Sequence, residues 1–312
     1  MSNIRNSNLL YRPAISVWTA RKLDREETGK VNEAAGAVAS AARVNKSLLP
    51  DSPQLVAVQK YQGVFRNWVY TSTLPWDDSG ARIGQVRRHM DFMAEAGDKM
   101  REFDTLVDAF MDSYAAEIEN AKFTLNTMFK AEDYPGVDEV RAKFRISLDV
   151  MPLPDAGDFR IIDGITPEEA DKLCAVATDA VEQRLKAAMA EAYQRLFKVV
   201  STMSSTLTLF DKKEIKKFND TLTGNIAELV QVMPALNITD DPLLRSLANE
   251  ARQLLDYTLL DLRKDTTSRN AAIADAADLA ERINLSMPDN LHRVQSAPKA
   301  NASLFADMLE TT

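Results

Sequence analysis

The chain has 312 residues, 45% of them hydrophobic, and a formal charge of −8. That length allows one large domain or two ordinary ones, and the apolar content excludes global disorder. Sparse Gly (10) and Pro (12), with aromatics at 7%, favour helix and exclude an all-β sandwich, which needs frequent turns and many β-branched or aromatic positions.

An isoelectric point near 5.0 gives a surface that repels phosphate backbones in general. A local basic excess lies in the first fifty residues. Arg5, Arg12, Arg21, Lys22, Arg25, Lys30, Arg43 and Lys46 outnumber Asp24, Glu26, Glu27 and Glu33. Acids interrupt the cations and no aromatics alternate with them, so a solvated helix face is expected ahead of a nucleic-acid arm. The single cysteine, Cys174, excludes an intramolecular disulfide and a multi-cysteine metal site. Residues 1 to 30 lack an apolar signal core, and no stretch approaches the length a membrane helix needs. A reducing cytoplasm is the expected compartment.

Asn3, Asn6 and Asn8 favour turns, and Pro13 suits the first position of a short helix carrying Ile15, Val17 and Trp18. An Ala-rich segment follows from Val31 to Leu49. Ser52-Pro53 opens a helix whose apolar face is Val58, Tyr61, Phe65, Trp68 and Val69, ending before Thr71-Ser72-Thr73-Leu74-Pro75. Phe103, Val107, Phe110, Tyr114, Ile118, Ala121, Leu125 and Met128 then form a heptad stripe with one stutter. A helix of about 40 residues would span about 60 Å and must pack along another.

Phe144, Ile146, Leu148 and Val150 alternate with polar residues, turn residues follow from Pro152 to Gly157, and Phe159 to Ile162 completes an expected β-hairpin. Thr166-Pro167-Glu168-Glu169 enters a helix with Leu185, Met189, Ala192, Leu196, Val199, Met203 and Phe210 on one side. Phe218 to Met233 is a second amphipathic run, expected to end at Pro234. Thr239 or Asp240, before Asp241-Pro242, caps a last long helix with Leu244, Leu247, Ala251, Leu254, Leu255, Leu259, Leu262, Ile273 and Ile283 inward.

Signals of catalysis are weak. His89 and His292 have no partner nucleophile at recognisable spacing, and Cys174 has no nearby base. No Gly-rich phosphate loop or zinc motif occurs. Asp77 and Asp78 within Trp76-Asp77-Asp78-Ser79-Gly80-Ala81-Arg82 offer two oxygen ligands, but a cap at Asp78 or Ser79 with Trp76 as packing anchor is the plainer reading. Asp133-Tyr134-Pro135 and Asp155 to Arg160 read as connectors rather than a recognition loop. Leu304, Phe305, Met308 and Leu309 have the spacing of a short docking helix, with folding back onto the chain's own helices weighted equally.

Four strings carry a resemblance. They are Thr73 to Arg82; Glu132-Asp133-Tyr134-Pro135 with Lys143-Phe144; Met151-Pro152-Leu153-Pro154 with Asp158-Phe159-Arg160; and Tyr193 to Met203 with Leu229-Val230 and Leu236 to Pro242. Their order is similar to a family of tailed-bacteriophage proteins of unknown function, over roughly Gln54 to Arg263. The resemblance implies phage origin and transfers no catalytic residue.

The expected architecture is mainly α, an elongated bundle of long antiparallel helices with a small inserted β-hairpin. Residues 1–50 form an N-terminal helical segment, partly mobile, 51–290 the bundle with its hairpin at about 143–163, and 291–312 a flexible tail with a docking helix. The expected function is a non-enzymatic phage protein acting by protein–protein interaction, as scaffold or self-assembling homo-oligomer, without cofactor, metal or membrane, in the host cytoplasm or a particle. A host-directed inhibitor and a nucleic-acid-associated protein are the rivals. Candidate interaction residues are Trp76, Asp77, Asp78, Arg82, Phe159, Arg160, Leu304, Phe305, Met308 and Leu309.

Overall fold

In a computed structural model of the chain, residues 2–154 and 164–288 are described, with the side chains of residues 2 and 3 set aside. The second expected hairpin strand, with Phe159 and Arg160, and the tail with Leu304, Phe305, Met308 and Leu309 lie outside the described residues. The protein is mainly helical with a small antiparallel sheet. It forms two compact units interleaved in sequence. One comprises residues 1–10, 71–88 and 151–312, the other residues 11–70 and 89–150.

The N-terminal region is not the expected helical segment. A short α1 (Ser2–Ser7) leads into β1 (Asn8–Ser16), then β2 (Arg21–Asp24), α2 (Arg25–Ala34) and β3 (Val44–Ser47). Pro13 therefore sits in a strand. The reason is visible in the neighbouring residues: Arg12, Ala14 and Ser16 are exposed while Pro13, Ile15 and Val17 are half-buried, a period-two pattern that overrides the proline start signal. The Ala-rich stretch is helical only to Ala34. Beyond Gly36, at φ +62°, the chain turns back so that β2 and β3 pair antiparallel, Arg21 opposite Ser47 and Asp24 opposite Val44.

In the unit of residues 11–70 and 89–150, the core is a helix pair, α3 (Pro53–Ser72) and α4 (His89–Leu125). Phe103, Val107, Phe110, Tyr114 and Ala121 of the heptad stripe are buried, as the spacing predicts. Tyr61 meets Phe103 at 6.3 Å between centroids and Trp68 stacks on Phe92 at 4.7 Å, so residue numbers rise on one helix as they fall on the other and the pair is antiparallel. Trp18 covers the far end of the stripe, edge-on to Tyr114 at 5.9 Å. Each such aromatic pair is worth about 0.5–1.5 kcal/mol beyond the area it buries.

The other unit opens with a hairpin at the string from Trp76 to Arg82. The caps expected at Asp78 or Ser79 are not formed, because no helix starts there. Instead β4 (Leu74–Pro75) pairs with β5 (Arg82–Gln85), Leu74 opposite Ile83. Asp77 Oδ1 accepts from the Ser79 amide (3.0 Å), the Ser79 hydroxyl (2.8 Å) and the Ala81 amide (3.0 Å), and Gly80 at φ +90° closes the turn. The four-stranded sheet has the order β4-β5-β1-β6, where β6 is Arg145–Pro152, the first strand expected from the alternating pattern. That strand lies beside β1. Between α4 and β6 the chain forms the short α5 (Val137–Arg141).

A 45-residue helix, α6 (Pro167–Asp211), starts as its sequence predicts, with Thr166 Oγ1 accepting from the Glu169 amide. It packs on α10 (Thr266–Leu285), on α7 (Thr221–Leu236) and on β4. The Arg269 guanidinium donates to Asp211 Oδ1 at 2.8 Å, and Ser204 Oγ donates to the Ile273 carbonyl, so α6 and α10 are antiparallel. Two expectations change here. The run expected to stop at Pro234 continues to Leu236, because Met233 and Leu236 are buried and the proline falls in the last turn, where it disturbs little of the helix. The last long helix is three pieces, α8 (Pro242–Gln253), α9 (Leu259–Lys264) and α10. Thr258 Oγ1 accepts from the Asp261 amide and Asp265 Oδ1 from the Thr267 amide, so side-chain caps restart the helix twice. The cap of α8 is Asp241, accepting from the Leu243 amide at 2.9 Å, rather than Thr239 or Asp240.

The buried side of α10 presents Ala272, Ala276 and Ala280 between Leu279 and Ile283, small groups that let two backbones approach. Ala276→Leu should overpack this contact and cost about 1–3 kcal/mol. Thermal unfolding of the full chain checks it: a fall of several degrees is expected, with little change for the exposed Ala277→Leu.

Candidate functional site

Of the residues singled out at the hairpin, Trp76, Asp77 and Arg82 make contacts within the fold. Trp76 is buried, with the Arg184 guanidinium 5.7 Å from its ring centre. Arg82 is buried and donates through Nε to Thr73 Oγ1 (3.2 Å) and through Nη2 to the Thr73 carbonyl (2.9 Å). Asp77 is committed to its turn, and Asp78 points to solvent. Among the described residues no group of three or more His, Cys, Asp and Glu is placed to hold a metal ion. Cys174 is buried on α6, and His89 Nδ1 lies 3.1 Å from the Tyr11 hydroxyl.

Two charged assemblies stand out that the sequence did not reveal. The first is an ionic staple. Lys46 on β3 and Asp133 are each about 4% exposed in their side chains, and Lys46 Nζ sits 2.6 Å from Asp133 Oδ2 and 3.6 Å from Asp24 Oδ2. Lys46 also donates to the Met128 carbonyl at 2.8 Å, and Lys22 Nζ reaches Asp133 Oδ1 at 2.6 Å. These cations do not form the solvated helix face expected of the N-terminal basic excess. They pin the β2–β3 hairpin to the chain after α4. Tyr134 OH on the Leu48 carbonyl (2.8 Å) and Tyr114 OH on the Pro135 carbonyl (2.9 Å) complete the anchor, which makes Asp133-Tyr134-Pro135 a connector.

Burial pushes the Asp133 carboxyl upward, but hydrogen bonds from Lys22 and Lys46 outweigh it and hold the group below its ordinary value of 3.8. For Lys46, burial pulls downward and the Asp133 contact overcomes it, holding the amine above 10.5. A depressed carboxyl stabilises the fold above its unfolded value and is lost as pH falls through the folded one; a raised amine stabilises below 10.5 and is lost above it.

The second assembly is a cleft of about 230 Å³ between α7 and α8. Val230, Met233 and Pro234 of α7 and Leu244 and Ala248 of α8 line it, with Asn237 at one end. Three guanidinium groups, Arg87, Arg245 and Arg252, also line it. Arg245 and Arg252 are seven residues apart on one face of α8. Arg87 follows β5 and is set by three contacts: Nε donates to Gln85 Oε1 (2.6 Å), and Nη2 donates to the Pro234 carbonyl (3.3 Å) and pairs with Asp240 Oδ1 (3.1 Å). Asp240 also lies 3.6 Å from Arg245. The Arg252 guanidinium has no hydrogen bond or ion pair to any described residue.

The turn between α7 and α8, beside the cleft, is held by hydrogen bonds from distant segments. Gln85 Nε2 donates to the Asn237 carbonyl (2.5 Å), Asn8 Nδ2 donates to the Ile238 carbonyl (3.0 Å), and Tyr193 OH donates to Asp241 Oδ2 (2.7 Å). Asn237 brackets the turn, its Oδ1 accepting from the Asp241 amide and its Nδ2 donating to the Asp241 carbonyl. The only sequence signal for the cleft was the seven-residue spacing of Arg245 and Arg252; nothing local placed Arg87 beside them. Val230, Met233, Leu244 and Ala248 are buried while Arg87, Arg245 and Arg252 are exposed, so the cleft presents chiefly its cationic rim.

Comparison with protein-family models, with curated proteins and with solved structures finds no match for this chain.

Removing Lys46 leaves the buried Asp133 carboxylate with the half-exposed Lys22 as its remaining cation and strips Asp24 Oδ2 of its contact. Lys46→Met should therefore cost less than the ~3–5 kcal/mol of a fully stranded charge, and the double variant Lys46→Met/Asp133→Leu should recover part of it. Denaturant unfolding measures both. In the unaltered chain, the unit holding the staple should lose stability as pH falls below about 4. Retention of full stability at pH 3, followed by tryptophan fluorescence, would contradict that role for Asp133.

Proposed function

We propose that this chain is a non-enzymatic protein-interaction module of a tailed bacteriophage, a scaffold or self-assembling helical protein acting in the host cytoplasm or a particle. The α7–α8 cleft carries the interaction reading: exposed Arg87, Arg245 and Arg252 gather with Pro234 above buried apolar side chains, and hydrogen bonds from separate stretches of chain hold the turn between the two helices. The occupant it suits is an acidic segment of a phage protein. Phage origin is supported by the order of the four strings between Thr73 and Pro242. An elongated bundle of long antiparallel helices, with copies pairing in coiled-coil fashion to a homo-oligomer, is the assembly this reading extends to.

The host-directed inhibitor shares the cleft but has no observation of its own. Nucleic-acid association through the N-terminal cations is weakened by their pairing. Lys22 and Lys46 are engaged with Asp133, and Lys30 lies 2.8 Å from Glu27 and 3.1 Å from Glu26. No described helix is long and apolar enough to cross a membrane.

Quantitative affinity purification from infected cells tests the reading, comparing the unaltered chain with Arg245→Glu/Arg252→Glu. One or more phage proteins, identified by mass, should fall about tenfold or more in the variant, since reversal turns attraction into repulsion at two rim positions. Equal recovery by both chains, or recovery of host proteins alone, would reject it.

A further inference from the structure

We infer that the outward face of the β2–β3 ribbon docks on a second copy of this chain, in the acidic hollow beside the end of α8; this rests on the self-assembling reading and gives it a head-to-tail interface. The strand register sorts the ribbon into two faces. Lys22 lies opposite Lys46 and Asp24 opposite Val44, on the side that Asp133 holds. Arg21 opposite Ser47 and Leu23 opposite Asn45 therefore point the other way. Arg21, Leu23 and Asn45 are exposed, as are Arg25 and Arg43 where the two strands end. Lys22, Lys30 and Lys46 are ion-paired, whereas the guanidinium groups of Arg21, Arg25 and Arg43 make no hydrogen bond or ion pair with any described residue. The ribbon is also fixed in shape. Asn32 is buried, its Nδ2 donating to the carbonyls of Ala39 (3.1 Å) and Ala42 (3.3 Å) and its Oδ1 accepting from the Ala42 amide (3.0 Å). A surface set in advance loses little freedom on binding.

Charge complementarity names the second copy. Glu250, Asp256, Asp275 and Asp278 line a hollow of about 380 Å³ between the end of α8 and α10, with Arg282 as the one cation in its lining. Four carboxylates less one guanidinium leave −3, against +3 from Arg21, Arg25 and Arg43. Leu254 and Leu279 beneath are buried, so the hollow offers charge and not an apolar seat. Arg282 is committed to Glu250 (2.5 Å) and Asp278 (2.9 Å). That leaves Asp275, which accepts only from the Tyr257 hydroxyl (2.5 Å), and Asp256, with no ion pair to a described residue, to receive guanidinium groups. Ribbon and hollow are different surfaces, so each copy offers one of each and the contact propagates into a ring or a filament.

The test uses the full chain in sedimentation velocity across a concentration series, at about 0.05 and about 0.5 M salt. The ribbon variant is Arg25→Ser/Arg43→Ser and the hollow variant Asp256→Lys/Asp275→Lys, all at exposed positions. Asp104→Lys/Asp112→Lys, exposed on α4, is the control for net charge alone. The unaltered chain and the control should form species larger than a dimer that dissociate at the higher salt. Each test variant should need about tenfold or more concentration to associate, with its circular dichroism and thermal unfolding unchanged. An equimolar mixture of the two should stop at a dimer, since only one intact ribbon and one intact hollow can meet. Association of the mixture beyond a dimer, or no dimer at all, would overturn the inference. So would loss of binding to a DNA or RNA oligonucleotide in the ribbon variant while self-association persists, which would assign the arginines to nucleic acid. If the chain associates but both variants match it, this interface is wrong and self-assembly stands; a chain monomeric throughout removes both.

Discussion

A rod about 68 Å long cannot shield its own apolar side, and α6, at 45 residues, is such a rod. Its buried residues run from Ala170 to Leu207, so no single short neighbour can cover them. The chain answers with several: α10 along the C-terminal half, α7 beside it, and the β4 strand near Trp76. The cleft depends on this arrangement. Tyr193 of α6 holds Asp241, Asp241 caps α8, and α8 supplies two of the three rim arginines. The position of the rim is thus a consequence of how one long helix is covered.

The α3–α4 pair solves the same problem with larger groups. Tyr61, Phe65, Trp68, Phe92, Phe103 and Phe110 fill the space between two helices, where α6 and α10 use alanine for close approach. Aromatic filling sets the helices apart and gives many directional contacts, whereas an alanine face relies on proximity of backbones. The buried Lys46–Asp133 contact ties β3 to the chain after α4, and Lys22 of β2 reaches the same carboxylate, so one group holds both strands of the hairpin.

Helical periodicity was the most legible property of the sequence. The stripes at 103–121 and 185–203, the cap at Thr166 and the start at Pro53 all have their signals within a few residues, because the hydrogen bonds of a helix are local. Strands were read less well. Pro13 is a helix-start residue by habit, and only the alternation on either side, which needs a sheet to give it meaning, outweighed that. The break at Tyr257-Thr258 was hidden because Leu254, Leu255, Leu259 and Leu262 keep near-helical spacing straight through it. Trp76 and Arg82 are unusual neighbours in sequence, and in the structure they pack a turn; the cleft joins Arg87 to Arg245 across some 160 positions, a distance at which a single sequence carries no record of contact.

Asp240 has a further effect. It adopts φ +56°, a conformation that aspartate tolerates better than most residues, and so holds its carboxylate between Arg87 and Arg245. An arriving acid at those two positions exchanges one carboxylate for another and gains little. An arriving lysine or arginine meets like charge at Arg252 with nothing to offset it. The charge at this rim therefore opposes a basic group more than it favours an acidic one, an imbalance that added electrolyte should level.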